Sequence, residues 1–269
     1  MAYAEVQFLS TAITRFTTIR AYFPTDAMSG TKFETPFKTL YFLPGFSNDA
    51  TTLASYLGFR RECELKGIAV IIVDGDNSFY VDHPKRLANY SSFIKEVISF
   101  TRMMFPLSDK REDTFLGGIS MGGYGALYNG LKYRAIFSKI VALSPSADCY
   151  DLICGHPFMF DDELFTNTFG SKAEYYNSSH NLCKFYGEVP KEEIPDLFIA
   201  CGEQDDLVGK GVRDLRKTLK ERDIPFVDIR EEGNHEMAYW EDNLDLAFSF
   251  LAGIEPGMKS RLVLNLEQE

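Results

Sequence analysis

Ser120 lies in Gly118-Ile119-Ser120-Met121-Gly122, with Gly123 next. This is G-x-S-x-G, set between an apolar run at residues 114–119 and a helix-like run at 121–133. A serine that is to attack a carbonyl must project from a very tight turn at the end of a strand. Side chains beside it would collide with neighbouring strands, so the flanking positions call for glycine. The helix that follows aims its first N–H groups at the same spot and favours a negative oxygen there. The plain alternative is a glycine-rich turn whose serine caps a helix. The strand before and the helix after favour the nucleophile.

A serine needs a base. The chain has four histidines, His83, His156, His180 and His235. Where a G-x-S-x-G serine works with an acid and a histidine, the chain order is serine, acid, histidine. His235 fits, in Glu232-Gly233-Asn234-His235, between the last strand-like run and the last helical one. His83 comes before Ser120, and His156 and His180 fall in an irregular region. The acid should follow the strand before the histidine strand and hold the imidazole. Cys201-Gly202-Glu203-Gln204-Asp205-Asp206 offers Asp205 and Asp206, with Glu203 less well placed. Position in the turn favours Asp205. Two N–H donors should meet the developing oxyanion. One is expected from Met121. The other is expected from Leu43-Pro44-Gly45-Phe46-Ser47, where proline has no N–H and Phe46 is the better donor.

These residues need a frame. Residues 6–9 and 17–23 read as early strands, and 24–36, with Asp26, Ser29 and Gly30, as a loop. Residues 37–43, 68–74, 114–119, 139–143, 196–200 and 225–230 read as strands. Helical spacing appears at 89–105, 121–133, 211–222 and 236–251. IAVIIVD at 68–74 is apolar up to its closing Asp74, as a central parallel strand should be. Alternating strands and helices imply an α/β protein with a mostly parallel central sheet and helices on both faces.

The rhythm stops between residues 146 and 193. Nine aromatics fall there: Tyr150, Phe158, Phe160, Phe165, Phe169, Tyr175, Tyr176, Phe185 and Tyr186. A polar linker would not carry them, and so long a structureless loop would be unusual. The stretch reads as an inserted, partly helical cap. Its rings either glue it to the core or line a pocket. The expected organisation is one domain over residues 1–253, with the cap at 146–193 and a surface tail at 254–269.

In 269 residues, 28 Lys and Arg face 39 Asp and Glu, a formal net charge of −11. So acidic a chain is a poor partner for nucleic acid or an anionic membrane surface. Five cysteines without C-x-x-C spacing read as thiols in a reducing compartment. Cys149, Cys154 and His156 could begin a metal site but lack a clear fourth ligand. The N-terminus has neither the basic nor the long apolar region of a signal peptide. A cytoplasmic protein without a metal or cofactor is expected. It would act on a small ester, bind no nucleic acid and enter no membrane; a homo-oligomer stays open.

The chain also resembles the esterase D / tributyrin esterase family of α/β-hydrolases, related to S-formylglutathione hydrolases and bacterial feruloyl and acetylxylan esterases. The resemblance runs from about residue 3 to 251. Val6-Gln7-Phe8-Leu9-Ser10 is similar to the family's opening strand, and Asn77-Ser78-Phe79-Tyr80-Val81-Asp82 to the loop after its second central strand. Phe105-Pro106, Lys110-Arg111-Glu112 and the stretch from Gly118 to Ala126 resemble the approach to its nucleophile and the turn itself. Cys201-Gly202-Glu203-Gln204-Asp205 resembles its acid loop, and His235 to Trp240 the start of its last helix. The resemblance implies the α/β-hydrolase fold, Ser120 as nucleophile, Asp205 as acid, His235 as base and N–H donors at Phe46 and Met121. It implies a serine carboxylesterase acting through an acyl-enzyme on short-chain or aryl esters. The alternatives are a feruloyl or acetylxylan type on plant-derived esters, an S-formylglutathione hydrolase-like thioesterase, or a non-catalytic binding protein on the same fold. This chain departs from the family at Pro44-Gly45, often His-Gly or Ser-Gly, and at Gly233-Asn234, commonly a doubled glycine. It also has Ser47-Asn48 where the glutathione-ester hydrolases carry a cysteine.

Overall fold

A run of six buried residues with almost no polar side chain needs packing on both of its faces, and two such runs, residues 68–73 and 114–119, lie at the centre of this protein. The computed structural model describes residues 1–25, 33–83, 88–161 and 163–257. In chain order its main elements begin with β1 (Ala2–Ser10), β2 (Arg15–Phe23), β3 (Lys38–Leu43), α1 (Ala50–Tyr56), α2 (Phe59–Lys66) and β4 (Ile68–Val73). A two-residue pair, β5 (Asp82–His83) and β6 (Ala88–Asn89), precedes α3 (Tyr90–Met104), β7 (Thr114–Ile119), α4 (Met121–Lys132) and β8 (Lys139–Leu143). Four short helices follow: α5 (Cys149–Gly155), α6 (Leu164–Phe169), α7 (Lys172–Tyr176) and α8 (Leu182–Glu188). The chain then returns through β9 (Asp196–Ala200), α9 (Gly209–Glu221), β10 (Phe226–Ile229), α10 (Met237–Asp242) and α11 (Leu244–Ala252).

Eight strands form one sheet in the order β1-β2-β4-β3-β7-β8-β9-β10. From β4 to β10 every pairing is parallel, and the β1-β2 hairpin joins antiparallel at the β4 edge. Strand alternation divides the core in two. Tyr41, Leu43, Ile71, Leu116 and Ile140 face α3, α4, α9 and the 149–188 helices. Leu40, Phe42, Ile72, Phe115 and Val141 face α1, α2, α10 and α11. Because both faces are covered, the central strands show no polar alternation.

The elements depart from expectation in three places. Residues 50–66 carry two helices where the periodicity shows none. They are short, and they are made by their ends: the Asp49 carboxylate accepts the Thr52 N–H at 2.7 Å, and Gly67 closes α2 at φ 70°. The last helix, expected unbroken, is interrupted at Asn243, whose side-chain amide donates to the Tyr239 carbonyl at 2.9 Å and competes with the helical ladder. The first hairpin is longer than the apolar runs suggest, with register from Ala2↔Phe23 to Ser10↔Arg15. Asp26, Ser29 and Gly30 of the expected loop, and residues 258–269 of the expected tail, lie outside the described residues.

The sheet order reverses between β3 and β7: the chain adds β4 on one side of β3 and β7 on the other. Crevices outside the carboxyl ends of parallel strands at such a reversal are where ligands bind. The loops after β3, β7, β9 and β10 carry Phe46, Ser120, Asp205 and His235 in turn.

Candidate active site

Ser120 follows β7 directly, with φ 52° and ψ −117°. A residue with a side chain rarely takes this backbone, and the cost is met by hydrogen bonds on both sides. The Ser120 N–H donates to Leu143 at 2.9 Å, and its carbonyl accepts N–H groups from Tyr124 and Ser146, each at 3.0 Å. The flanking glycines are required by contact. A Cβ on Gly122 would fall 1.9 Å from the Leu43 carbonyl oxygen, and one on Gly118 would fall 2.3 Å from the Gly122 oxygen. Both obstacles are backbone of the sheet and the turn, so neither can swing aside. Gly122→Ala should therefore cost more than about 4 kcal/mol of stability. Urea unfolding would show it, and a variant with the wild-type midpoint would refute this account of the turn.

The structure brings three of the expected residues into one hydrogen-bonded chain. His235 Nε2 lies 3.0 Å from Ser120 Oγ, and His235 Nδ1 lies 2.8 Å from Asp205 Oδ2. Asp205 is buried, while Asp206 and Glu203 are exposed. Burial opposes the Asp205 charge. The His235 hydrogen bond and charge outweigh it, together with the Val208 N–H at 3.1 Å, and the carboxyl is held below its usual range. The acid and histidine loops are tied to each other: the Gln204 N–H donates to the Gly233 carbonyl at 3.0 Å, and the Gly233 N–H to Gln204 Oε1 at 2.8 Å. Trp240 of α10 meets the His235 ring edge-to-face at 5.1 Å.

Neither the Phe46 nor the Met121 N–H has an acceptor among the described residues. Gly45 brings the first of these loops against the serine: a Cβ added there would fall 3.3 Å from Ser120 Cβ. A cavity of about 410 Å³ opens above Ser120 and His235. Leu152, Met159 and Phe160 of the 146–193 segment line one side, and Leu207, Met237 and Trp240 another. The Gly45–Asn48 turn completes the lining.

The other candidates lie elsewhere. His83 Nε2 meets the Ser78 carbonyl at 2.9 Å, and His156 Nδ1 meets that of Leu152 at 2.8 Å. His180 is packed against Tyr128 and Phe169, and burial lowers its pKa. Among the described residues no three His, Cys, Asp or Glu side chains gather closely enough to hold a metal, so Cys149, Cys154 and His156 do not converge. The aromatics of the 146–193 segment are mostly glue. Phe165, Phe169 and Tyr175 pack on one another, Tyr186 donates to the Leu127 carbonyl at 3.1 Å, and only Phe160 of the nine lines the cavity. Phe160 sits edge-to-face on Phe46 at 5.2 Å. Met237 and Trp240 were not legible as cavity residues, because only the docking of α10 turns them inward.

A mostly parallel sheet with a serine on a left-handed turn after its central strand defines the α/β-hydrolase class. A family model described as "Putative esterase" matches residues 10–251. An acetyl esterase of Caldicellulosiruptor saccharolyticus is 34% identical, over 94% of this chain and 99% of its own. Two solved Staphylococcus aureus structures are also similar. The fluorophosphonate-binding serine hydrolase F superposes with TM-score 0.79 at 28% identity, and an S-formylglutathione hydrolase with 0.78 at 29%; each match covers 93% of this chain and 98% of the other. The chain belongs to this esterase family. It is a serine esterase, a hydrolase of carboxylic esters on the α/β-hydrolase fold, and the resemblance read from the sequence stands. Among the described residues no helix is long and apolar enough to cross a membrane.

Proposed function

We propose that Ser120, His235 and Asp205 form the catalytic triad, with the Phe46 and Met121 N–H groups as the oxyanion hole, and that the substrates are short-chain or aryl esters. The observation that supports this most is the unbroken chain of 3.0 and 2.8 Å contacts at the floor of the cavity. Ser120 Oγ attacks the ester carbonyl as His235 Nε2 takes its proton. The oxygen turned negative is met by the two N–H donors. His235 returns the proton to the leaving alcohol, and water then cleaves the acyl-enzyme by the same route. This chemistry calls for no metal or organic cofactor. Residues 1–253 would form one domain with 146–193 as its cap. Cys149, Cys154, Cys183 and Cys201 are thiols, which suits a cytoplasmic protein.

The cavity supports a small substrate. At about 410 Å³ it lies near the low end of ligand pockets, and an acetyl group, as the name of the Caldicellulosiruptor relative suggests, fits the apolar wall of Leu152, Met159 and Phe160. The Trp240 and Phe46 rings favour aryl esters as well. The S-formylglutathione reading is weaker. Among the described lining residues Glu236 is the one fixed charge, and it is negative. A glutathione thioester brings two carboxylates against one ammonium, a net negative charge, and no cation among the described lining residues receives either carboxylate.

A substrate panel tests the reading. Among p-nitrophenyl esters, kcat/KM should peak at acetate or butyrate and fall about tenfold or more at octanoate; S-formylglutathione should be at least about tenfold worse than acetate. Preference for octanoate or for the glutathione thioester would overturn the substrate assignment. Equal rates on methyl ferulate and an aliphatic ester of similar solubility would exclude phenolic specialisation.

A further inference from the structure

Phe46 and Met121 follow different strands, and neither loop alone sets the spacing between their N–H groups. The loop after β4 touches both. The Tyr80 hydroxyl donates to the Pro44 carbonyl at 3.0 Å, and Asn77 Oδ1 accepts the Ser47 N–H at 2.6 Å. Phe46 is thus held between two tethered neighbours. On the Met121 side, the Phe79 N–H meets Met121 Sδ at 3.4 Å. The Tyr80 ring lies in a slot between Gly75 and Gly125 of α4, where an added Cβ would come within 2.2 and 2.4 Å of it. Buried Asn129, also on α4, donates to the Tyr80 carbonyl at 3.0 Å.

The loop holds an unusual backbone to do this. Asp76, Asn77, Phe79 and Tyr80 all take left-handed φ, between 51° and 56°. Aspartate and asparagine adopt it readily, but aromatic residues do not. Such a conformation persists only where surrounding contacts over-determine it, and it is commonest where geometry serves function. His83, outside the serine chemistry, meets the Ser78 carbonyl in the middle of the loop.

We infer that Asn77 and Tyr80 are positioning residues that fix the separation of the Phe46 and Met121 N–H groups and so the shape of the oxyanion hole, without touching substrate. The inference rests on the assignment of Ser120 as nucleophile and of those two donors. A donor displaced by a fraction of an ångström still tolerates a ground-state carbonyl but stabilises the tetrahedral oxyanion poorly.

Asn77 is exposed, so its replacement leaves the core untouched. The test compares Asn77→Ala, Asn77→Asp and Tyr80→Phe on p-nitrophenyl acetate, with the inhibition constant of butylboronic acid as a probe of the tetrahedral state. Asn77→Ala and Tyr80→Phe should each lower kcat about 10- to 100-fold with KM within about twofold of wild type, and weaken the boronate in parallel. Asn77→Asp keeps an acceptor oxygen and should recover most of kcat. Wild-type kcat in both Asn77→Ala and Tyr80→Phe, with Ser120→Ala inactive, would overturn the positioning role alone. So would a fall in kcat with unchanged boronate affinity and a lowered melting midpoint, the mark of a merely structural role. Activity surviving in Ser120→Ala would instead remove the underlying assignment. If Tyr80→Phe does not fold, the Asn77 pair decides.

Discussion

Ser120→Ala is expected to lower kcat on p-nitrophenyl acetate by about 10⁵-fold while the protein stays folded. The hydroxyl is the only group that the proposed mechanism makes covalent with the acyl carbon, and among the described residues no other side chain hydrogen-bonds to His235 Nε2. Alanine keeps the Cβ and takes the same backbone bonds to Leu143, Tyr124 and Ser146, so circular dichroism and the melting midpoint should stay close to wild type. A fluorophosphonate probe should label the wild-type protein on the Ser120 peptide and leave the variant unlabelled. The residual rate should still exceed that in water, because oxyanion donors and binding remain. A variant within tenfold of wild type would remove Ser120 from the mechanism.

Asp205→Asn carries the second largest effect, a fall in kcat of about 10⁴-fold. Its cause is the imidazole tautomer. The carboxylate accepts from Nδ1 at 2.8 Å, so Nε2 is left free to take the serine proton. An asparagine can offer an N–H instead, which places the ring proton on Nε2, facing Ser120, where it blocks the base. Asp206→Asn should change the rate little, since that side chain is exposed and makes no contact with His235. Equal losses in the two variants would contradict the assignment.

The same substitution has a signature in acid. Asp205 binds its proton less readily folded than at its ordinary value near 3.8. Its contribution to stability is therefore complete above that value and is lost as pH falls through the lower, folded one. The Asn variant has no such proton to take up, so its melting midpoint should fall less steeply than that of wild type below about pH 4. Parallel acid branches would mean that the Asp205 carboxyl is not held below its usual range.

How far each feature could be read depended on how local its cause is. The turn around Ser120 was legible because G-x-S-x-G sets its glycines at fixed offsets: Gly118 meets Gly122 within the turn, and Gly122 meets the Leu43 carbonyl at the end of the adjacent strand β3, a contact that any such turn beside a parallel strand makes. The parallel sheet was legible because strands buried on both faces must be apolar throughout, as IAVIIV is. The helices at 50–66 were not, since capping by Asp49 and Gly67 makes them and they carry little apolar periodicity. The loop at 74–81 offered only its resemblance to a family motif. Nothing in Asp76-Asn77-Ser78-Phe79-Tyr80 announces four left-handed residues or a grip on two other loops.

What the sequence alone determined is the α/β architecture, the serine turn and the order in which serine, acid and histidine arrive. Each shows as periodicity, as glycine at fixed offsets or as order along the chain, which are patterns of residue type and spacing. Only the tertiary structure decided that the imidazole of His235 meets Asp205 and not its neighbour Asp206. It alone turned Phe160 to the cavity while other rings of the same segment became packing, and it alone let Tyr80 reach Pro44. Those choices rest on the parallel register of β9 with β10 and the docking of helices on two sheet faces. Contacts of that kind join residues distant in the chain, and they depend on distances and directions that residue type and spacing do not encode.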